Sequence, residues 1–395
     1  MKTICLDLTN IVPGVGGVGG GIATYGKSLA LGMDSILSKN RDLSSQYRFI
    51  VLLNEKTYKN LEFDIFDKYF FKINNQSLLD RMLWLQYRLP NFLKEQKVDL
   101  LHRIVSELPY RKTCKSVANV HDFMFNFYLN DSDFGKYLKF KEKIKFHILN
   151  KLLYQSLKSG DQLLVNSAAV KNEALNKVDI EPGKISVVHL GFDNKNFSMI
   201  ELEESKVKEK GKIFFGIVAA FHPHKGHLNV VRLAKKMVDL GYRDQIHFYF
   251  RGSPIYQNYH EEVLGLIHKY GLTELFSFEK YDPNITLQEI YDKYSATILL
   301  SDCEGFGLPV IEAQAFHKPV ICSEIPVFRE ILGDSAIFLS QSAKEEDIHL
   351  LFEKLFDEKF LEELIKKGIT NSQQYSWTKT CSHVLDIYLD VLNRN

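Results

Sequence analysis

The sequence has few cysteines and no pattern among them. Cys5, Cys114, Cys303, Cys322 and Cys381 are odd in number, scattered and never spaced C-x-x-C. That excludes a disulfide framework or a zinc ribbon and reads as reduced thiols of a cytoplasmic protein. Charge of one sign is also missing. Lys and Arg number 50 and Asp and Glu 49, for a formal net charge of +1. A protein with so little net charge has no overall field for gripping a polyanion, so no nucleic-acid partner is expected. Long apolar runs are absent too, which excludes a membrane-spanning helix, and MKTICLDLTN lacks the apolar core of a signal peptide.

What is present is an ordinary globular composition, 45% hydrophobic and 25% charged, over 395 residues. That length exceeds one ordinary core and predicts two domains. Apolar runs alternate with helical patterns in two successive blocks, the signature of two doubly wound α/β units. In the first block, strands are expected over 3–8, 48–53, 70–73, 98–102, 116–120, 162–166 and 185–189, with helices over 22–33, 78–94 and 134–158. The pattern restarts at Lys212, after a charged stretch from Glu201 to Lys210 that reads as an interdomain linker. The expected domains are 1–200 and 211–374, with a terminal helix in 375–395 capped by Ser376.

The most informative stretch is Ala296 to Phe316, ATILLSDCEGFGLPVIEAQAF. A short buried strand runs into a glycine-broken loop, and Pro309 opens a helix at a position whose N–H needs no partner. Strand, loop and helix N-terminus form an anion site at the carboxyl end of a parallel sheet. Glu304 and Glu312 bracket it, and carboxylates cannot hold a phosphate. Their expected partners are hydroxyl groups, of one sugar for Glu304 and of a second sugar or a ribose for Glu312. Backbone N–H groups around Gly305, Phe306, Gly307 and Leu308 would face the charge between them. The competing reading is plainer: an acid favoured near a positive helix end and a solvated loop carboxylate.

Six glycines fall between Gly14 and Gly21. Gly14, Gly16 and Gly19 spell G-x-G-x-x-G, and Gly21, Gly26, Lys27 and Ser28 spell a P-loop. The second pattern starts thirteen residues beyond Leu8, although a P-loop should follow its strand directly. It supports one rival reading, a P-loop NTPase using Lys27 and Ser28 with Asp302 as its acid. A non-catalytic nucleotide-sugar-binding protein is the other rival. Asp131-Ser132-Asp133 spells D-x-D but precedes a helix, which favours capping over metal binding. His222, His224 and His227 have no acidic partner in their loop, and no metal site is expected there.

The string EGFGLPVIEA resembles the donor-binding motif of the retaining glycosyltransferases of family 4, with an E-x7-E pair at Glu304 and Glu312. The resemblance extends over essentially the whole chain and is strongest from Lys212 to Leu339. It implies a GT-B fold, two Rossmann-like domains facing across a cleft, with the terminal helix crossing back to the N-terminal domain. GGGIATYGKSLA matches the family's glycine loop, which places Gly20 and Gly21 near the donor diphosphate. His121 in VANVHDF matches the histidine that faces the donor sugar. Lys225 in HPHKGH matches the family's basic loop. The sequence departs from the family beside it, where His224 replaces a basic neighbour and Ala219-Ala220 stand where an arginine is usual. Either His224, Arg251 or the helix N-termini would then supplement Lys225.

The implied activity is retaining, metal-independent transfer of a hexose-type sugar from a nucleotide-diphosphate sugar, with no other cofactor. The implied acceptor is a glycan or polyprenyl-linked sugar, in surface polysaccharide or glycoconjugate synthesis. The lysine-rich segment 134–158 carries interleaved aromatics and leucines. It reads either as a solvated face or as an anchor at the inner face of the cell membrane, where it would meet an anionic surface.

Overall fold

The computed structural model describes residues 1–11, 20–192, 211–280, 282 and 284–394, apart from the side chain of residue 132. The glycines from Gly14 to Gly19 and the stretch Glu201 to Lys210 lie outside the described residues. The chain divides into two compact units. One comprises Met1–Gly191 with Ser376–Asn395, the other Phe192–Tyr375.

The first unit is built on a parallel sheet of seven strands: β1 Lys2–Asp7, β2 Tyr47–Asn54, β3 Asp67–Phe71, β4 Leu100–Arg103, β5 Lys115–Val120, β6 Gln162–Val165 and β7 Ile185–Val187. Their order is β3-β2-β1-β4-β5-β6-β7. Burial on both faces explains why β2 reads YRFIVLLN, with its last six residues buried, and not as an alternation. The helix Gly21–Lys39 follows β1 and buries Tyr25, Leu29, Ala30, Met33 and Leu37 at helical spacing. The terminal helix Trp377–Asn393 packs on it. Gly32 permits that approach, since a Cβ there would lie 2.5 Å from Cys381 Sγ.

Two helices expected to be continuous are not. The first runs as Leu78–Leu83, a π turn over Trp84–Arg88, and Leu89–Glu95. Pro90 has no N–H to donate to Gln86 and would clash with its carbonyl, and the wide turn absorbs that misfit. The expected 134–158 helix is one turn, Ser132–Gly135, followed by Phe140–Ser159. It restarts because Lys139 is extended, with its N–H donating to the Glu142 carboxylate at 2.7 Å. Asp131 Oδ1 accepts from the Asp133 N–H at 2.8 Å, so the D-x-D carboxylate is spent on a turn.

The second unit has six parallel strands: β8 Ile213–Val218, β9 Ile246–Arg251, β10 Phe276–Glu279, β11 Ala296–Leu299, β12 Val320–Ser323 and β13 Ile337–Leu339, in the order β10-β9-β8-β11-β12-β13. The Thr286–Glu289 capping box is formed, with Thr286 N–H donating to Glu289 at 2.8 Å. The strand order reverses between β8 and β11. At such a switch point successive connections leave on opposite faces and open a crevice at the carboxyl ends.

Candidate active site

The loops that leave β8 and β11 meet at that crevice. The first, 219–226, ends in the turn Pro223–Lys225 and the left-handed Gly226, which caps the helix His227–Asp239. The glycine is required twice over. Its φ is +72°, and a Cβ would lie 1.8 Å from the Leu300 carbonyl oxygen. The Asp302 N–H donates to the His224 carbonyl at 2.8 Å, and Asn229 Nδ2 donates to the Leu300 carbonyl at 3.2 Å. The two loops are thus one hydrogen-bonded body.

This contact brings Lys225 to Glu304. Lys225 Nζ donates to both carboxylate oxygens, at 2.8 and 2.7 Å, and Ser301 Oγ donates to Glu304 Oε1 at 2.8 Å. The Glu304 side chain is 6% exposed and that of Lys225 22%. The Ser301 carbonyl accepts from Ser323 Oγ at 2.6 Å and from Gln341 Nε2 at 3.3 Å, and Gln341 also reaches Asp302 at 2.7 Å. The carboxylate is therefore aimed by a supported loop, not carried on a free one.

Beyond it, Gly307 adopts φ +95° and caps the helix Leu308–Ala315, with no side-chain oxygen on the first-turn N–H groups and no acid in that turn. Phe328 lies beneath, 2.6 Å from where a Cβ of Gly307 would stand. Phe306 is buried edge-on to Tyr375. Glu312 points back within this helix and accepts from the Tyr291 hydroxyl at 3.1 Å; that hydroxyl also lies 3.1 Å from the Pro309 carbonyl. Burial pushes the Glu312 pKa up to about 7, the Tyr291 bond opposing it only in part. A carboxyl poised between its two forms suits a group that exchanges hydrogen bonds with hydroxyls.

The two residues considered as supplements to Lys225 are placed otherwise. His224 is buried, and burial followed by the neighbouring Lys225 charge pushes its pKa well below the usual histidine value. It stays neutral. His222 falls to about 4 and His227 to about 3, burial being the main cause in both. Arg251 is 4% exposed and donates to Glu279 at 2.9 Å, while Lys293 reaches the other oxygen of Glu279 at 2.8 Å. Among the described residues, Lys225 is the cation that these loops present. No group of three His, Cys, Asp or Glu that could hold a metal assembles among the described residues.

In the first unit His121 follows β5 directly. Its Nε2–H donates to the Ile104 carbonyl at 2.7 Å, and Nδ1 accepts from Asn166 Nδ2 at 3.0 Å. Burial lowers its pKa, so the ring is neutral with its proton on Nε2. Tyr25 meets it edge-on at 5.3 Å. Gly20 caps the helix Gly21–Lys39 and is open to solvent, with Gly21 beginning the first turn. The whole string from Gly21 to Ser28 is helical and Lys27 is exposed on it. Gly26 packs against the side-chain tips of Ile11 and Ile104, whose Cδ1 atoms would lie 2.4 and 2.5 Å from a Cβ. A phosphate-cradling loop does not exist at these residues, which removes the structural basis of the NTPase reading.

Ser301, Tyr291, Asn229, Gln341 and Gly226 were not singled out from the sequence. Ser301 stands three residues before Glu304, a spacing that permits its bond; Tyr291 and Gln341 reach the site from distant elements and leave no local signal.

Two doubly wound parallel units, of seven and six strands, define an architecture of the GT-B class. The family models agree: Glycosyltransferase Family 4 matches residues 49–196 and Glycosyl transferases group 1 matches residues 198–373. The chain belongs to the GT-B glycosyltransferases of the family 4 type. It is 30% identical over 222 residues to the O-antigen chain mannosyltransferase RfbU of Salmonella typhimurium, covering 56% of this chain and 55% of that protein. It is 21% identical over 253 residues to O-antigen chain mannosyltransferase B of Escherichia coli, covering 63% and 65%. The chain therefore spans between about half and two thirds of the length of these relatives. The fold matches that of HepE from Anabaena, solved in complex with UDP-glucose, with a TM-score of 0.68, 14% identity and coverage of 99% and 100%.

Proposed function

We propose that this protein transfers a hexosyl group from a nucleotide-diphosphate sugar to a glycan or lipid-linked sugar acceptor, in the synthesis of a surface polysaccharide or glycoconjugate. The observation that carries the reading is the Lys225–Glu304 pair beside the Gly307-capped helix, at the switch point of the second unit. Lys225 and the N–H groups from Gly305 to Leu308 would take the diphosphate. Glu304 would turn from Lys225 to the hydroxyls of the donor sugar, and Glu312 would take those of the ribose. Fixed positive charge at the departing diphosphate is the kind of preorganised field that lowers such a barrier most.

The proposed course is retaining and needs no resident metal. The acceptor oxygen bonds to the anomeric carbon on the face from which the diphosphate leaves, and the departing phosphate oxygen takes the acceptor's proton. No side-chain nucleophile is then required. In the first unit, His121 would offer Nδ1, held here by Asn166, to a sugar hydroxyl. The two O-antigen mannosyltransferase relatives favour mannose among hexoses as the first donor sugar to test.

The test is a screen of GDP- and UDP-hexoses with the purified protein and sugar acceptors, with and without EDTA. Product anomers are read by proton NMR. The proposal expects one donor to be turned over with its anomeric configuration kept and with EDTA having no effect. Inversion would overturn the mechanism. Binding without turnover on any acceptor would favour the non-catalytic rival.

A further inference from the structure

Four buried polar side chains of the first unit form a chain that starts on the terminal helix and ends beside His121. Tyr388 on the helix Trp377–Asn393, His102 on β4, Asn119 on β5 and Tyr25 on the helix Gly21–Lys39 are each at most 1% exposed. The Asn119 amide is bonded at both ends. Its Oδ1 lies 2.7 Å from His102 Nε2, and its Nδ2 donates to the Tyr25 hydroxyl oxygen at 3.0 Å. The Tyr388 hydroxyl meets His102 Nδ1.

The partners fix the direction of each bond. Asn119 Oδ1 can only accept, so His102 carries a proton on Nε2. Burial pushes the His102 pKa down to about 4, the Asn119 bond opposing it. The ring is therefore neutral, and its Nδ1 accepts from the Tyr388 O–H. The bonds thus run one way, from Tyr388 to His102 to Asn119 to Tyr25, and bonds so aligned polarise and strengthen one another. As mere filling such a chain is costly, because cutting it anywhere strands a buried polar group.

What the chain holds is the Tyr25 ring. That ring meets His121 edge-on at 5.3 Å, and Trp377, the first residue of the terminal helix, lies 6.0 Å from it. The terminal helix therefore reaches Tyr25 twice, by the Trp377 ring and by the hydrogen-bonded chain from Tyr388. His121 donates to the Ile104 carbonyl and accepts from Asn166. Once its Nδ1 is offered to a sugar hydroxyl, as proposed above, the Ile104 bond alone would leave the imidazole free to tilt about that bond. The edge of Tyr25 supplies the missing constraint. We infer that Tyr25 is a positioning residue for His121, and that Tyr388, acting through His102 and Asn119, fixes Tyr25, so that the terminal helix helps aim the His121 ring. The kinetic consequence rests on the transferase reading; the structural one rests on the chain itself.

The test uses the full chain, with histidine labelled for nitrogen NMR. Tyr388→Phe keeps its ring and loses the hydroxyl, and Tyr25→Leu removes the edge that meets His121. Leu93→Ala opens a cavity in the cluster around Trp84 and Leu149, has no part in the chain, and controls for lost stability. Near-UV circular dichroism shows that each variant is folded. The His121 ring signals, identified by their loss in His121→Ala, should shift or broaden in both tyrosine variants and stay in place in Leu93→Ala. In nucleotide-sugar turnover, Tyr388→Phe should lose about 10-fold in kcat and Tyr25→Leu about 100-fold, with donor KM within about twofold and Leu93→Ala unchanged in both. The variant combining the two tyrosine changes should be no slower than Tyr25→Leu alone, because a chain with nothing to hold has no further effect. Unmoved His121 signals in the tyrosine variants would overturn the inference. That arm needs no turnover, so its outcome is separate from the fate of the transferase reading. Additive losses in the double variant, losses confined to KM, or an equal loss of kcat in Leu93→Ala would also overturn it. So would wild-type rates in His121→Ala, with transfer itself intact.

Discussion

Lys225 and Glu304 stand 79 residues apart in sequence, yet the lysine Nζ donates to both carboxylate oxygens, at 2.8 and 2.7 Å. The cation proposed for the diphosphate and the acid proposed for the sugar therefore satisfy each other. Donor binding would exchange that internal pair for two external ones, so neither charge need be left bare at any stage.

The pairing predicts non-additive energetics. Lys225→Met leaves a buried carboxylate with Ser301 alone, and Glu304→Gln leaves the ammonium with a neutral partner. Each change is expected to cost about 1–3 kcal/mol of stability, and the double variant less than their sum. Urea unfolding of the four proteins measures this. Strict additivity would show that the pair does not interact.

Glu312 predicts a pH dependence. Its pKa is about 7 in the folded protein against an ordinary 4.5. Between these values the folded form holds the extra proton, so stability falls as pH rises from 4.5 to 7 and the penalty is complete above 7. Glu312→Gln removes that penalty. The variant is expected to be more stable than wild type at pH 8, by up to about 3 kcal/mol, and to show no gain at pH 4.5. Transfer should nonetheless fall, because an amide cannot accept two hydroxyls as a carboxylate does. Guanidinium unfolding at the two pH values checks the sign; a greater gain at the lower pH would contradict it.

Gly226 tests whether the two loops act as one body. Gly226→Ala combines a left-handed φ with a 1.8 Å clash on the Leu300 carbonyl. The expected loss is on the order of 3 kcal/mol or more. Gly271 has φ +65° and nothing within 4 Å of its would-be Cβ, so Gly271→Ala should cost only the backbone term of about 1–2 kcal/mol. Thermal unfolding distinguishes them, and equal losses would mean that the contact with the Leu300 carbonyl carries no weight.

Lys27 is exposed on a helix. Lys27→Ala is expected to leave transfer and stability within about twofold, as for an ordinary surface change. Steady-state rates beside those of Lys225→Met give the ranking, and a larger loss at Lys27 would return the P-loop reading to consideration.

Much of this architecture was legible because it depends on local sequence. The apolar runs that became β2, β8 and β11, the Ser376 cap and the Thr286–Glu289 box each lie within one short window. The breaks in the two long helices were less visible. They follow from Pro90 acting four residues back and from Glu142 capping Lys139, where apolar periodicity runs on across both points. Glu304, Glu312 and Lys225 could be picked out, but their partners could not. Tyr291 reaches Glu312 from 21 residues away, and Gln341 reaches Asp302 from 39. The neutrality of His224 was equally hidden, since it depends on burial and the Lys225 charge beside it, not on residue type. Asp7 and Arg103 form another unread pair, an ion pair at 3.4 Å with both side chains wholly buried at the ends of β1 and β4. Their signal was a charge closing each of two apolar strands.

The most direct measurement is hexose transfer from a nucleotide-diphosphate sugar by wild type, Glu304→Gln and Lys225→Met, alongside calorimetric binding of the same donor. The wild type is expected to bind and turn over one such donor. Both variants should stay folded and lose roughly 100-fold or more in rate, since each removes a fixed group from the reacting centre. Failure of every nucleotide sugar to bind the wild type, or wild-type rates in both variants, would contradict it.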